Sequence, residues 1–401
     1  MDDSNRIPSS PLEALLHLSP TETERLGLTH TPSEIAQQPT TWLETFRKIS
    51  ESRWDLAQFL EKCGLGVSGK ALSVSLVGAG TSDYIGRALE ALLRKEWKCH
   101  VRSVPSTDLL TEMDEFVASF PNNTRHLWIS FSRSGDSYEG VNCIRAALEK
   151  YPQIGHLVIT CNTVGRMANE FAETDSNYLC VTLDDRTNDR GLAMTSSFTN
   201  MVIAGQCLAH ISELDRYEPI VKALAAAAES SLGELASLAQ TIARESYSRI
   251  CFLGSGPIRA AGDESALKVM ELTAGHFSVM SESFLGLRHG PLSWLNSDSL
   301  VVAFLSGDEE KSRIELGLLD ELKRKNAAKS LLLILPNDSI KTHGDYYAVL
   351  NVPEIVRDHY RPPLDVLFAQ CLGLFASLRF GLRPDAPSAD NKIQRVVSEI
   401  A

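Results

Sequence analysis

Two copies of one pattern occupy this chain. The run Leu76-Val77-Gly78-Ala79-Gly80 returns as Phe252-Leu253-Gly254-Ser255-Gly256, which puts Gly78 and Gly254 176 positions apart. Leu157-Val158-Ile159-Thr160-Cys161-Asn162 returns 175 positions on as Leu332-Leu333-Ile334-Leu335-Pro336-Asn337, and Ile129-Ser130-Phe131-Ser132 returns 174 on as Ala303-Phe304-Leu305-Ser306. Three pairs within two residues of one spacing predict two homologous domains, whereas a solenoid would show many shorter repeats. From about residue 68, apolar runs alternate with amphipathic stretches, the pattern of βαβ units on a parallel sheet. The expected fold is therefore α/β, with a helical arm over 1–50, a first domain over 51–215 and a second over 216–401. The Ala-rich stretch Leu214–Ala239 holds the boundary, and Thr31-Pro32-Ser33-Glu34 and Gln38-Pro39-Thr40-Thr41 read as helix starts within the arm.

A net charge of -12 argues against a nucleic-acid partner, since phosphate backbones call for a basic surface. An anionic small molecule stays compatible, because a local site can be positive on a negative protein. No apolar run approaches the roughly 20 residues that cross a bilayer, and the start Met1-Asp2-Asp3-Ser4-Asn5-Arg6 has no apolar signal core. The eight cysteines are scattered without a Cys-x-x-Cys pair, and the ten histidines show no metal spacing. Reduced thiols, a cytoplasmic location and a metal-free site without cofactor are the expectations.

Two serine-rich turns carry the first chemistry. Gly78-Ala79-Gly80-Thr81-Ser82 follows the run Leu72–Val77, and Ser130-Phe131-Ser132-Arg133-Ser134-Gly135-Asp136-Ser137 follows His126–Ile129. A strand turning into a helix leaves backbone N–H groups unpaired at the positive end of the helix dipole, where hydroxyls and glycines let a phosphate approach. Ser82, Ser132, Ser134 and Ser137, beside Arg133, are the candidate cradle. The plain alternative is that they are turn hydroxyls and N-caps. A dinucleotide fingerprint would need a third glycine where Asp83 and Arg259 stand, so neither Gly-x-Gly turn fits one.

The second constellation is Glu264-Ser265-Ala266-Leu267-Lys268-Val269-Met270-Glu271-Leu272, followed by Leu287-Arg288-His289-Gly290-Pro291. Helical spacing places Glu264, Lys268 and Glu271 on one face, which alone would read as a solvated ion pair. The apolar neighbours Val269, Met270 and Leu272 suggest instead a partly buried Glu271, suited to moving carbon-bound protons. His289, in a Gly/Pro-flanked turn, is either a capped loop residue or an acid–base group. In a third segment, Asp184–Phe198, Thr195 is either an N-cap or a hydroxyl brought to the crevice at the carboxyl ends of the strands.

Taken together, Gly78-Ala79-Gly80-Thr81-Ser82, Ser132-Arg133-Ser134-Gly135, Asp189-Arg190-Gly191 with Ala193-Met194-Thr195-Ser196-Ser197, Glu264–Lys268, Glu271-Leu272-Thr273-Ala274-Gly275 and Arg288-His289-Gly290-Pro291 resemble a protein with two sugar isomerase (SIS) domains. The similar family is that named tagatose-6-phosphate ketose/aldose isomerase, also read as galactosamine-6-phosphate deaminase, with the isomerase half of glucosamine-6-phosphate synthase as a more distant likeness. The resemblance implies a flavodoxin-like three-layer sandwich for each domain and a homodimer whose site lies near the subunit interface. It implies that Ser82, Ser132, Arg133, Ser134 and Ser137 hold a sugar phosphate, that Glu271 shuttles a proton between C1 and C2 with Lys268 in support, and that His289 opens the ring from the neighbouring subunit.

Departures from the synthase narrow the expectation. Arg133 replaces a glutamine, Met194 a serine, and Arg395, in the tail Asn391–Val397, a catalytic lysine. An arginine is too hard to deprotonate for base or Schiff-base work, which leaves it an electrostatic role. No cysteine follows Met1 and no glutaminase pattern precedes residue 68, so ammonia release is expected in place of fixation. The expected reaction turns galactosamine 6-phosphate into tagatose 6-phosphate and ammonia. Plain tagatose 6-phosphate isomerisation, glucosamine 6-phosphate deamination and a non-catalytic sugar-phosphate sensor are the alternatives.

Overall fold

The computed structural model describes residues 8–68, 71–119, 121, 123–171, 177–338, 344–388, 390 and 392–397. Met1–Arg6 and Asn391, which entered the reading above, lie outside the described residues. The chain divides into two compact units. One comprises 40–188, 196–222 and 394–401, and the other 1–39, 189–195 and 223–393.

The first unit is built on five strands, β1 (Leu72–Gly78), β2 (His100–Pro105), β3 (Arg125–Ser132), β4 (Gly155–Thr160) and β5 (Tyr178–Thr182), all parallel in the order β2-β1-β3-β4-β5. β1 and β4 are buried along their whole length, as expected of strands covered by helices on both faces. The expected helices are present as Thr81–Trp97 and Tyr138–Lys150, and the buried stripe of the second includes Val141, Ile144 and Ala147. The helix Ser196–Ala209 is buried on every side, the mark of an internal helix. Its polar positions are used: the Trp42 indole donates to Thr199 Oγ1 (2.9 Å), and Asn200 exchanges hydrogen bonds with Thr41 (2.9 Å) and Thr45 (2.7 Å).

The second unit repeats the plan. Its strands are β6 (Arg249–Leu253), β7 (Ser278–Glu282), β8 (Ser299–Phe304), β9 (Ser330–Leu335) and β10 (Tyr346–Val349), parallel in the order β10-β9-β8-β6-β7. Read from the other edge this is the first sheet's order, the doubly wound arrangement of flavodoxin-like domains. The duplication extends to backbone geometry. A Cβ on Gly78 would lie 2.3 Å from the Ser82 carbonyl carbon, and one on Gly254 would lie 2.6 Å from the Ile258 carbonyl oxygen. Gly80 and Gly256 sit at φ +56° and +55°. Each Gly-x-Gly pair thus serves a tight strand-to-helix turn, one glycine for close approach and one for left-handed backbone.

The arm helix Thr31–Ala36 groups with the second unit, where a cluster of carboxylates secures it. Glu34 Oε1 accepts from the backbone N–H groups of Arg190 and Gly191 (2.5 and 3.2 Å), and Asp385 accepts from Thr31 N and Oγ1 (2.8 and 2.7 Å). Burial and then the nearby Asp189 charge push the Glu34 carboxyl up to about 8, against the pull of the two N–H bonds. A carboxyl raised in the folded state contributes stability that is complete below its unfolded value near 4.5 and is lost as pH rises through about 8. The urea midpoint should therefore fall between pH 6 and pH 9, and Glu34→Gln should flatten that fall. Equal slopes for the two proteins would dismiss Glu34 as its source.

Candidate functional site

β1 and β3 are neighbours, with Val77 opposite Ser130, so the turns Gly78–Ser82 and Ser132–Ser137 leave the sheet side by side. The strand order reverses here, since β2 lies on the other flank of β1. Open α/β sheets bind ligands at such a reversal, outside the carboxyl ends of the strands. Ser82, Ser132 and Ser134 are buried in these turns, and Ser137 is half-buried. Ser132 Oγ accepts from Gly135 N (3.0 Å) and Ser134 Oγ from Asp136 N (3.1 Å), which leaves each hydroxyl hydrogen to be donated. The turn and cradle readings of these serines are thus compatible in one geometry.

Residues that the sequence reading passed over hold the loop in shape. Asn162 Nδ2 donates to the Ser134 carbonyl (2.7 Å), and Asp136 Oδ1 accepts from Arg166 N (2.8 Å). The recurrence of Asn162 as Asn337 in the repeat was the available signal for the first. Nothing local announced the second.

Arg133 is buried, and its Nη2 donates to the backbone carbonyl of Arg395. Arg395 in turn donates from Nη2 to Asn188 Oδ1 (2.6 Å), and Val397 O accepts from Tyr138 N, a first-turn donor of the Tyr138–Lys150 helix (3.3 Å). Both predicted arginines are thereby engaged in holding the C-terminal tail beside the serine turn.

In the second unit, the helix Pro257–Leu272 presents Glu264, Lys268 and Glu271 on one face, as their spacing requires. Lys268 Nζ lies 3.4 Å from Glu264 Oε1 and 2.5 Å from Glu271 Oε2. Lys268 and Glu264 are fully buried, while the Glu271 side chain keeps 24% of its exposure. Of the apolar neighbours along the chain, only Met270 lines the same cavity as Glu271; Val269 and Leu272 turn into the core, because residues adjacent in sequence diverge by about 100° around a helix. The closest polar neighbour of Glu271 is the Lys268 ammonium. The cavity, of about 520 Å³, is also lined by Leu267, Ala274, Gly275, His276, Leu382, Pro387, Ser388, Asp390, Lys392 and Ile393.

His289 is exposed between the short turns Gly286–Arg288 and Pro291–Trp294, and its backbone N–H donates to Gly286 O (2.9 Å). Thr195 is buried, and both its N–H (2.8 Å) and its hydroxyl (3.3 Å) donate to the Asp189 carboxylate. This ties together the Asp189–Thr195 loop, the part of the third segment that had two readings.

All eight cysteines are unbridged, and burial pushes the Cys63 thiol up to about 11 and that of Cys143 to about 12. Among the described residues no group of three His, Cys, Asp or Glu side chains is placed to hold a metal ion, and no helix is long and apolar enough to cross a membrane.

Comparison with known proteins follows the same outline. Residues 244–376 match the SIS domain family. An AgaS homologue of Streptomyces coelicolor is 36% identical over 92% of this chain and 94% of its own length. The D-galactosamine-6-phosphate deaminase AgaS of Escherichia coli is 33% identical over 93% of this chain and 95% of its own. The crystal structure of tagatose-6-phosphate ketose/aldose isomerase from Escherichia coli superposes with a TM-score of 0.81 at 32% identity, covering 90% of this chain and 95% of that one.

Proposed function

This chain belongs to the D-galactosamine-6-phosphate deaminase AgaS family, and from that premise we propose the reaction it performs and the residues that perform it. It is an amino-sugar-phosphate deaminase/isomerase: galactosamine 6-phosphate enters, and tagatose 6-phosphate and ammonia leave. The observation that carries the assignment of chemistry to residues is the Glu271 carboxylate, paired to a buried ammonium and open to a cavity.

The roles follow from the chemistry. Ser82, Ser132, Ser134 and Ser137 donate hydroxyl and turn N–H groups to the phosphate ester, with Arg133 and Arg395 shaping the surrounding loops. His289 moves a proton between the ring oxygen and the anomeric hydroxyl, which opens the pyranose to its aldehyde. Glu271 then takes the C2 hydrogen as a proton; the electron pair left behind forms the C1–C2 double bond while the C1=O π pair moves onto O1, which takes a proton, giving an enolamine. When that proton is returned to C1 and the nitrogen gives up one N–H proton, the C1–C2 double bond becomes a C2=N bond, a 2-imine; water adds at C2, the C–N bond breaks, and ammonia departs to leave the C2 ketone. A positioned carboxylate suffices for the first transfer because the adjacent carbonyl acidifies the C2 hydrogen. Lys268 fixes the direction of the carboxylate from inside the helix. The reading extends to a homodimer in which His289 serves the partner's site, which rests on the likeness to the synthase, and to a cytoplasmic location, which rests on the scattered, unbridged cysteines.

The test is to incubate the protein separately with galactosamine 6-phosphate and glucosamine 6-phosphate and to measure free ammonia and the ketose formed. Ammonia should appear in step with tagatose 6-phosphate, and faster from the galacto epimer. Interconversion of tagatose 6-phosphate with its aldose, and no ammonia from either amine, would reduce the activity to plain isomerisation.

A further inference from the structure

The second sheet reverses its strand order between β6 and β8 as the first does between β1 and β3, so it too opens a crevice at its carboxyl edge. Ser306 stands in the repeat where Ser132 stands in the first copy. The donors of this second turn are already taken. Ser306 Oγ donates to Asp358 Oδ2 (2.5 Å) and Gly307 N to Asp358 Oδ1 (2.9 Å), so one carboxylate is gripped through both oxygens by a hydroxyl and a backbone amide. Two cations stand behind it: Arg361 Nη1 lies 3.4 Å from Oδ1, and Lys311 Nζ lies 3.7 Å from Oδ2. The Ser306 N–H is spent on a second carboxylate, Glu315 Oε2 (2.8 Å).

We infer that the β6–β8 crevice is an oxyanion cradle filled by the chain's own Asp358. A hydroxyl, a turn N–H, a guanidinium and an ammonium converging on one anion make the donor set that a phosphate would use. Burial alone would push the Asp358 carboxyl up, yet the Ser306 and Gly307 bonds, with Arg361 and Lys311, outweigh it and hold the group below the usual carboxylate range. The occupant therefore stays ionised and in place at neutral pH. It arrives from a loop 52 residues downstream, so the divergence of the two copies lies in the plug as well as in the serines. Given the sugar-phosphate reading above, the chain has one seat for a phosphate ester and not two; the filling of the second crevice does not depend on that reading.

The experiment is calorimetric titration of the full chain with inorganic phosphate, comparing wild type, Asp358→Ala and Asp358→Asn. The alanine variant should bind one more phosphate per chain than wild type, and its lowered melting temperature should recover in phosphate. The asparagine variant should gain no site, because its amide fills the same space. Adding Lys311→Ala to Asp358→Ala should weaken the new site several-fold. An alanine variant with unchanged stoichiometry, or one that unfolds and is not rescued by phosphate, overturns the inference, as does a wild type that binds two phosphates. A wild type that binds none beside a variant that binds one would remove the β1–β3 cradle and keep this one.

Discussion

Glu271→Gln is expected to lower kcat for ammonia release by about 10²- to 10⁴-fold, the scale on which general acid–base groups contribute, while the affinity for the sugar phosphate stays within a few-fold of wild type. The amide keeps the shape of the carboxylate and can still accept from Lys268, but it cannot carry a proton from one carbon to the next. Lys268 does not become a stranded buried charge in this variant, because Glu264 remains 3.4 Å from its ammonium. The fold should survive and the loss should be chemical. A measurement in deuterated water separates the cases: wild type should exchange the C2 hydrogen of the substrate with solvent, and the variant should not. Exchange at an undiminished rate would assign the proton transfer to another group. A collapse of affinity along with turnover would instead make Glu271 a binding residue.

The repeat was readable from the chain because both halves keep the same strand-turn alternation, and the strands are buried on both faces and therefore written as unbroken apolar runs. The face shared by Glu264, Lys268 and Glu271 was readable for a similar reason, since helical periodicity converts spacing into direction. What surrounds Glu271 was readable only in part. Met270 lines its cavity, but Val269 and Leu272 turn into the core, and the apolar groups that replace them, Leu382 and Ile393, lie more than 100 residues downstream. Arg133 shows the other limit. Its guanidinium reaches a carbonyl 262 residues away, a partner that no local pattern can announce. Asp358 was hidden in the same way: the segment Arg357-Asp358-His359-Tyr360-Arg361 has no motif of its own, and its meaning appears only when the loop folds back on Ser306.

Arg361→Met should cost about 3–5 kcal/mol of stability at pH 8, the range for breaking a buried ion pair from one side. The guanidinium is fully buried and holds three groups at once: the Leu305 carbonyl at the end of β8 (2.7 Å), Asp358 (3.4 Å) and the equally buried Asp365 (2.9 Å). Burial already pushes the Asp365 carboxyl up to about 6, with the charge and hydrogen bond of Arg361 pulling the other way. Removing them lets burial act unopposed, so the group titrates higher still. A raised carboxyl contributes stability that is complete below its unfolded value near 3.8 and is lost as pH rises through the folded one. The deficit relative to wild type should therefore be largest at pH 8 and shrink toward pH 6, as Asp365 takes up a proton in the variant. Glu34 titrates near the top of this window in both proteins, so its contribution cancels in the difference. Urea denaturation at the two pH values measures the effect. Adding Asp365→Leu should recover much of the loss and remove its pH dependence, since a hydrophobic pair of similar volume leaves no charge stranded. A deficit that is equal at both pH values, or a double variant no more stable than the single one, would locate the cost in the Leu305 and Asp358 contacts and not in Asp365.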